Sequence, residues 1–147
     1  MKHRLLTTIA AVLLMGTASA DPIHDAARNG NLAGVQAELD KGADVNAKDT
    51  FFFMDSGDGF IIPYYERTPL HEAAMEGHKE ITEQLIAKGT DVHALDDNER
   101  NSLFYAAHGG HKEVAELLIA KGGDVNAKDE RGWTALHAAA YLIWPNF

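Results

Sequence analysis

The chain has 147 residues, a net charge of −9 and 46% hydrophobic residues, which is enough for one domain. It contains no Cys, which excludes a disulfide framework, a thiolate metal site and a cysteine nucleophile. The hydrophobic fraction is too high for a disordered acidic segment.

The N-terminal segment 1–20 has the three-part pattern of a secretory signal. A basic start at 2–4 is followed by an apolar run over 5–15 and by the small residues Ala18-Ser19-Ala20. The run has about 11 residues, whereas a bilayer-spanning helix needs about 20. We therefore expect cleavage after Ala20, a mature chain at 21–147, periplasmic or secreted localisation and no membrane attachment. An uncleaved anchor is the alternative.

The expected mature chain is strongly acidic. Removing residues 1–20 takes away Lys2 and Arg4 and no acidic residue, so the net charge goes from −9 to −11. An acidic surface repels phosphate backbones and anionic lipid headgroups. We therefore expect no nucleic-acid partner.

Two sequence motifs recur along the chain with the same spacing. The motif Asp-Val-Asn-Ala-Lys-Asp at 44–49 returns in related form at 91–96 and 124–129. The motif Pro-Ile-His at 22–24 returns in related form at 69–71, 102–104 and 135–137. The first two copies of each motif are about 47 residues apart, and every later copy follows after about 33 residues. The repeat unit therefore has about 33 residues, and one copy contains about 14 more.

The segment Thr-Pro-Leu-His-Glu-Ala-Ala at 68–74 resembles the T-P-L-H-x-A-A motif of the ankyrin repeat family, and 124–127 resembles its turn. The resemblance covers nearly all of 21–142. It implies an all-α repeat solenoid, a stack of helix–turn–helix units with β-hairpin fingers that binds other proteins and does not catalyse. The expected parts are an N-terminal capping repeat, a repeat with an extended finger, a full repeat and a truncated last repeat, at 22–49, 50–96, 97–129 and 130–147.

Local chemistry supports two short helices in each unit. Thr68 can cap a helix that begins at Pro69, and Asp21-Pro22 and Thr134-Ala135 repeat the arrangement. Gly30, Gly77 and Gly110 are expected to end the first helix of their units. Helices of about ten residues are too short to persist alone, so stability must come from stacking.

The two ends of the array differ from the middle. Gly34 and Glu38 replace apolar residues of the later units, which suits a terminal repeat, while Leu32, Val35 and Leu39 are expected to face inward. The last unit lacks a second helix and should expose apolar surface. Residues 144–147 could fold back as a cap, dock on a partner or reflect a truncated reading frame.

The extra segment of the longer copy is rich in aromatic side chains. Two apolar runs, 51–54 and 60–65, flank a Gly/Asp-rich turn and predict a lengthened β-hairpin. Aromatic residues are enriched at interface hot spots, so the hairpin is a candidate partner-binding finger. A hairpin that packs on its own repeats is the alternative. The candidate binding residues are Phe51, Phe52, Phe53, Phe60, Tyr64 and Tyr65.

The histidines recur at structural positions. By resemblance to the family, His24, His71 and His137 hydrogen-bond locally before the first helix, so no metal site is expected. The third unit departs from this pattern because Phe104 replaces the His. We expect that unit to be less firmly held, although Asn101 can still cap its helix.

No catalytic motif or phosphate loop is present in the sequence, so no enzyme activity and no cofactor are expected. The expected function is that of an exported, monomeric module that binds a protein through its concave face and the aromatic hairpin. A metal- or ligand-binding stress-protection protein of the periplasm is the alternative. Matching the family's contact positions onto this chain adds Met75, Glu76, Arg100, Tyr105, His108, Arg131 and Trp133 to the candidate binding residues.

Overall fold

The structure, a computed structural model, describes residues 21–54 and 61–143, and their side chains except at 50–54, 61–65 and 143. The predicted signal at 1–20, the hairpin turn with Phe60 and the tail at 144–147 lie outside the described residues. No helix within the described ranges has the length and apolar content needed to cross a bilayer.

The described residues form seven short helices and one pair of strands. The helices are α1 (Pro22–Arg28), α2 (Leu32–Asp40), α3 (Pro69–Glu76), α4 (Lys79–Ala87), α5 (Ser102–His108), α6 (Lys112–Ala120) and α7 (Ala135–Ile143). The strands are β1 (Asp49–Met54) and β2 (Ile61–Arg67). Helices α1/α2, α3/α4 and α5/α6 form three successive helix–turn–helix units, and α7 is the first helix of a fourth.

The units lie side by side in one layered row. The first helices pack in the order α1, α3, α5, α7, and the second helices pack behind them in the order α2, α4, α6. A continuous core lies between the two layers and includes Leu70, Leu85, Leu103 and Leu118, all buried. The predicted all-α repeat solenoid is therefore confirmed.

Each first helix ends where its sequence predicts. Gly77 follows α3 with φ +77°, and Gly30 and Gly110 each have φ +73°, which is the left-handed conformation that glycine adopts without strain. A Cβ on Gly77 would lie 2.4 Å from the His111 ring of the next unit. The glycine thus serves both the turn and the close approach of two repeats. At the start of α1 the prediction was wrong, because Asp21 makes no side-chain capping bond.

The inserted segment forms an antiparallel two-stranded pair. Phe51 pairs with Tyr64 and Met54 pairs with Ile61, and the register is irregular between Asp49 and Phe51. The shorter loops after α4 and α6 contain turns and no strand residues. One backbone hydrogen bond closes each of them, from Asp96 N–H to Arg100 at 3.0 Å and from Asp129 N–H to Trp133 at 2.8 Å. The prediction of β-hairpin fingers in these repeats is not confirmed.

Among the described residues, the first and last units have a neighbouring unit on one side only. Val35 is buried, but Leu32 is 43% exposed, so the prediction that Leu32 faces inward was wrong. Leu32 is the first residue of α2, in the first of the described repeats. At the other end Leu136 is 77% exposed, whereas Leu70 and Leu103, at the same repeat position, are 0% and 3% exposed.

Candidate protein-binding surface

Side chains that differ from repeat to repeat lie on the first helices and at the ends of the segments that precede them. The two shorter of these segments, residues 91–100 and 124–133, are called the finger loops. One position is occupied in turn by Arg28, Met75, His108 and Tyr141, and a second by Arg67, Arg100 and Trp133. We call the surface formed by these two positions and their neighbours the first-helix face. Its character changes along the stack, from ionic in the first units to aromatic in the last.

The N-terminal part of the face is a buried ionic cluster. The Glu72 carboxylate, almost fully buried, accepts a hydrogen bond from Arg28 Nε at 2.9 Å, and Arg67 Nη1 lies 3.6 Å from its other oxygen. Arg28 Nη2 also lies 4.0 Å from Asp49 Oδ2. The hydrogen bond to Glu72 raises the pKa of Arg28, and burial raises the pKa of Asp49. These charges neutralise one another and hold successive units together.

The middle of the face is filled by Tyr105, which the sequence predicted as a partner contact. That prediction was wrong, because Tyr105 is only 4% exposed. Its hydroxyl donates a hydrogen bond to Asp96, and the Arg67 guanidinium lies 4.8 Å from its ring centroid. Burial, with the hydrogen bond to Asp96, raises the pKa of Tyr105 to about 12. Tyr105 is therefore a neutral internal donor that connects α5 to the loop before it.

The C-terminal part of the face is a row of aromatic rings, here called the aromatic cluster, formed by Phe104, His108, Tyr141, Trp133 and His137. Successive ring centroids lie 6.5, 6.4, 6.1 and 6.4 Å apart. Three of the four pairs are within 29° of parallel, which is a stacked arrangement. Trp133 is 38% and Tyr141 57% exposed, His108 and His137 are exposed, and Phe104 is buried beneath them.

The finger loops are held by aspartates that close them. Asp129 Oδ1 accepts hydrogen bonds from the backbone N–H groups of Arg131 and Trp133, each at 2.9 Å. Burial acts to raise the pKa of Asp129, but these N–H groups and Arg100 outweigh it and lower the pKa. Asp96 accepts the equivalent bonds in the loop before. Asp129 thus fixes the turn that carries Trp133. The only sign of this role in the sequence was the recurrence of the Asp in each repeat.

The remaining predicted contacts differ in accessibility. Glu76 and Arg131 are exposed, and Met75 is partly buried. Arg100 is held within the protein, since its Nε lies 3.3 Å from Asp129 Oδ2 and its guanidinium 4.9 Å from the Phe104 centroid. The side chains of Phe51, Phe52, Phe53, Tyr64 and Tyr65 lie outside the described residues, as does Phe60.

The structure brings His108 and Trp133 into one patch and adds two residues that were not predicted as contacts, His137 and Tyr141. A signal for Tyr141 was present, because it occupies the same repeat position as Met75 and His108. His137 was interpreted as structural, and its Nδ1 does accept a hydrogen bond from Thr134 N–H at 3.2 Å. Its ring nevertheless stacks on Trp133 and is exposed.

The other histidines connect backbone segments. His71 Nδ1 accepts a hydrogen bond from Thr68 N–H at 3.0 Å, and its Nε2 donates to Arg100 O at 3.1 Å. Burial lowers the pKa of His71 to about 4, so the ring is neutral. His78 Nε2 bonds to Arg28 O at 3.0 Å, and His111 Nε2 bonds to Met75 O at 2.8 Å. Each of these carbonyls lies on the first helix of the preceding repeat. Across the described ranges no group of three or more His, Asp or Glu is placed to hold a metal ion.

In the third unit, where Phe104 stands in place of the His, the side-chain amide of Asn101 makes the bonds at the start of the first helix. The Asn101 carbonyl oxygen accepts a hydrogen bond from Phe104 N–H at 2.9 Å, and its amide donates to Asp124 O at 3.1 Å. Phe104 is left to pack under Arg100 and against His108. The unit that departs from the family motif thus keeps a capped helix and gains a ring for the aromatic cluster.

Comparison with known proteins agrees with this architecture. A family model described as ankyrin repeats in three copies matches residues 70–142, and a model of the single ankyrin repeat matches residues 20–50. A search of curated proteins finds no match. The chain belongs to the ankyrin repeat family. Repeats of this family generally mediate protein–protein interaction and are typically non-catalytic.

Proposed function

We propose that the mature chain, residues 21–147, is an exported, monomeric and non-catalytic module that binds a partner protein. Binding uses the first-helix face and the aromatic hairpin. Export rests on the signal pattern of residues 1–20, which is typical of a cleaved secretory signal. The periplasm or the external medium is the expected compartment.

One observation carries the proposal. The backbones of the first three units are tied to one another by bonds from His71, His78 and His111, whereas the first-helix face ends in exposed rings. Exposed aromatic side chains on a rigid support are the usual composition of interface hot spots, because they bury much area at small entropic cost. The surface therefore suits recognition of another protein.

The first experiment addresses export. The full chain is expressed, and the exported fraction is analysed by intact mass and N-terminal sequencing. The expected product begins at Asp21 and is recovered outside the cytoplasm. A product that still carries residues 1–20 and remains with the membrane would support an uncleaved anchor and contradict this part of the proposal.

The second experiment addresses the binding surface. The exported chain is cross-linked in its own compartment and the captured proteins are compared with those of three variants. Deletion of 51–64 restores the regular repeat spacing and removes most of the aromatic hairpin. Glu76→Ala changes an exposed position on α3, and Glu83→Ala changes an exposed position on α4 as the matched control.

The expected result is a defined partner that the intact chain and Glu83→Ala capture equally. The hairpin deletion and Glu76→Ala should capture less of it while they keep the helical circular-dichroism signal of the intact chain. Equal capture by all four proteins would place the interface elsewhere and contradict the proposal.

A further inference from the structure

The chain places two of its own guanidinium groups on rings of the first-helix face. Arg67 lies 4.8 Å from the centroid of Tyr105, and Arg100 lies 4.9 Å from the centroid of Phe104. The two arginines are one repeat apart and occupy the same position in successive units. A cation within about 6 Å of a ring centroid is attracted by the ring quadrupole.

At the next repeat this series changes. Position 133 carries a Trp instead of an Arg, so the last unit contributes a ring and no guanidinium. The aromatic surface nevertheless continues, through His108 and Tyr141 to Trp133. In the described part of the chain no cation lies over Trp133 or Tyr141, and both rings are accessible to solvent.

The surroundings of the aromatic cluster favour a cation. The two finger loops beside it, residues 91–100 and 124–133, contain seven acidic residues and three basic ones. Of the three basic residues Arg100 is paired with Asp129. The mature chain is also acidic as a whole, which draws basic segments toward it.

We propose that the aromatic cluster is the docking site for an arginine side chain of the partner polypeptide. The incoming guanidinium would lie on Tyr141 and Trp133, as Arg67 lies on Tyr105 of the next repeat and Arg100 lies on Phe104 of its own. Arg fits better than Lys, because its planar group stacks on aromatic faces and is less strongly hydrated than an ammonium group. This inference rests on the proposed function and specifies its partner chemistry.

The test uses the mature chain with Trp144→Phe, which leaves Trp133 as its single Trp and fluorescent reporter. The probe is a Gly/Ser hexapeptide with blocked ends and two Arg residues, and the matched controls are the same peptide with two Lys and free arginine. Saturable change in Trp133 emission is expected with the Arg peptide, at least about threefold tighter than with the Lys peptide.

Variants on α7 distinguish the contribution of the Tyr141 ring to binding from a general effect on folding. Tyr141→Ala should weaken Arg-peptide binding by about 2- to 30-fold, and Tyr141→Phe, which keeps the ring, should retain it. Leu136→Gln, an exposed position on the same helix, should leave binding unchanged. Equal affinity for Arg and Lys peptides, an unchanged affinity in Tyr141→Ala or no saturable response would overturn the proposal.

Acrylamide quenching of Trp133 in the same protein tests whether the aromatic cluster is free. Strong quenching is expected, since the side chain is accessible. Protection would mean that another segment of the chain already covers the rings, which would also overturn the proposal. If the Arg peptide fails while partner capture still depends on Glu76 and the hairpin, only this inference fails and the proposed function stands.

Discussion

The exposed end of the array can be tested by one substitution made at two equivalent positions. Leu103 and Leu136 occupy the same place in successive repeats, yet they are 3% and 77% exposed. Leu103→Ala removes buried methyl groups and leaves a cavity, which typically costs about 2–5 kcal/mol. Leu136 has about a quarter of its surface buried, and full burial of a Leu contributes about 1.5–3 kcal/mol. Leu136→Ala should therefore cost about 0.5 kcal/mol.

Urea unfolding followed by circular dichroism measures the difference. With a slope of about 2 kcal/mol/M, Leu103→Ala should move the midpoint by about 1–2.5 M. Leu136→Ala should move it by a few tenths of a molar at most. Leu103→Met, which conserves volume, is the control and should lie between them.

An equally large loss of stability in Leu136→Ala and Leu103→Ala would refute the reasoning. It would mean that the last repeat is covered in solution by residues 144–147 or by another molecule. An unchanged slope is required for the comparison, because repeat arrays can unfold in more than one step.

Three further outcomes follow from the hydrogen bonds and charges, and each is measured by the same unfolding assay. Asn101→Ala removes the cap of α5 and should cost about 0.5–2 kcal/mol; no loss would mean that water replaces the cap. Glu72→Gln should destabilise by about 1–3 kcal/mol because it leaves a buried arginine pair underneutralised, whereas Glu76→Gln at an exposed site should stay within about 0.5 kcal/mol. The pKa of His71 is lowered from 6.5 to about 4 in the folded chain, so only the unfolded chain takes up this proton between those values. The contribution of His71 is complete above pH 6.5 and falls by about 1.4 kcal/mol per unit toward pH 4, and His71→Gln should remove that part of the slope.

The repeat spacing alone located the helices. Thr68 and Pro69 start α3 and Gly77 ends it, because capping and left-handed turns depend on residues within a few positions of each other. The local histidine bond also followed from recurrence at His71 and His137. At His24 the prediction was wrong, because its buried Nδ1 makes no hydrogen bond. These predictions depend only on residues that are close in sequence, and the same local arrangement recurs along the stack.

The candidate surface was harder to predict. Tyr105 and Tyr141 are both aromatic residues on first helices, at repeat positions that differ by three residues, yet one is buried and the other is exposed. The difference comes from Arg67, Asp96 and the His71 ring, which all contact Tyr105. These side chains belong to the preceding repeat, and Arg67 lies 38 residues before Tyr105, so no short window of sequence contains them all.

The sequence by itself determined the period, the family and the short helices, because each depends on contacts that recur at a fixed spacing. Only the tertiary structure decided which variable residues reach solvent. Burial is set by the neighbouring repeat, and at the last unit that neighbour is absent from the described residues. The same Leu that forms the core in two repeats is therefore on the surface in the fourth, and Trp133 and Tyr141 meet in an open row of rings.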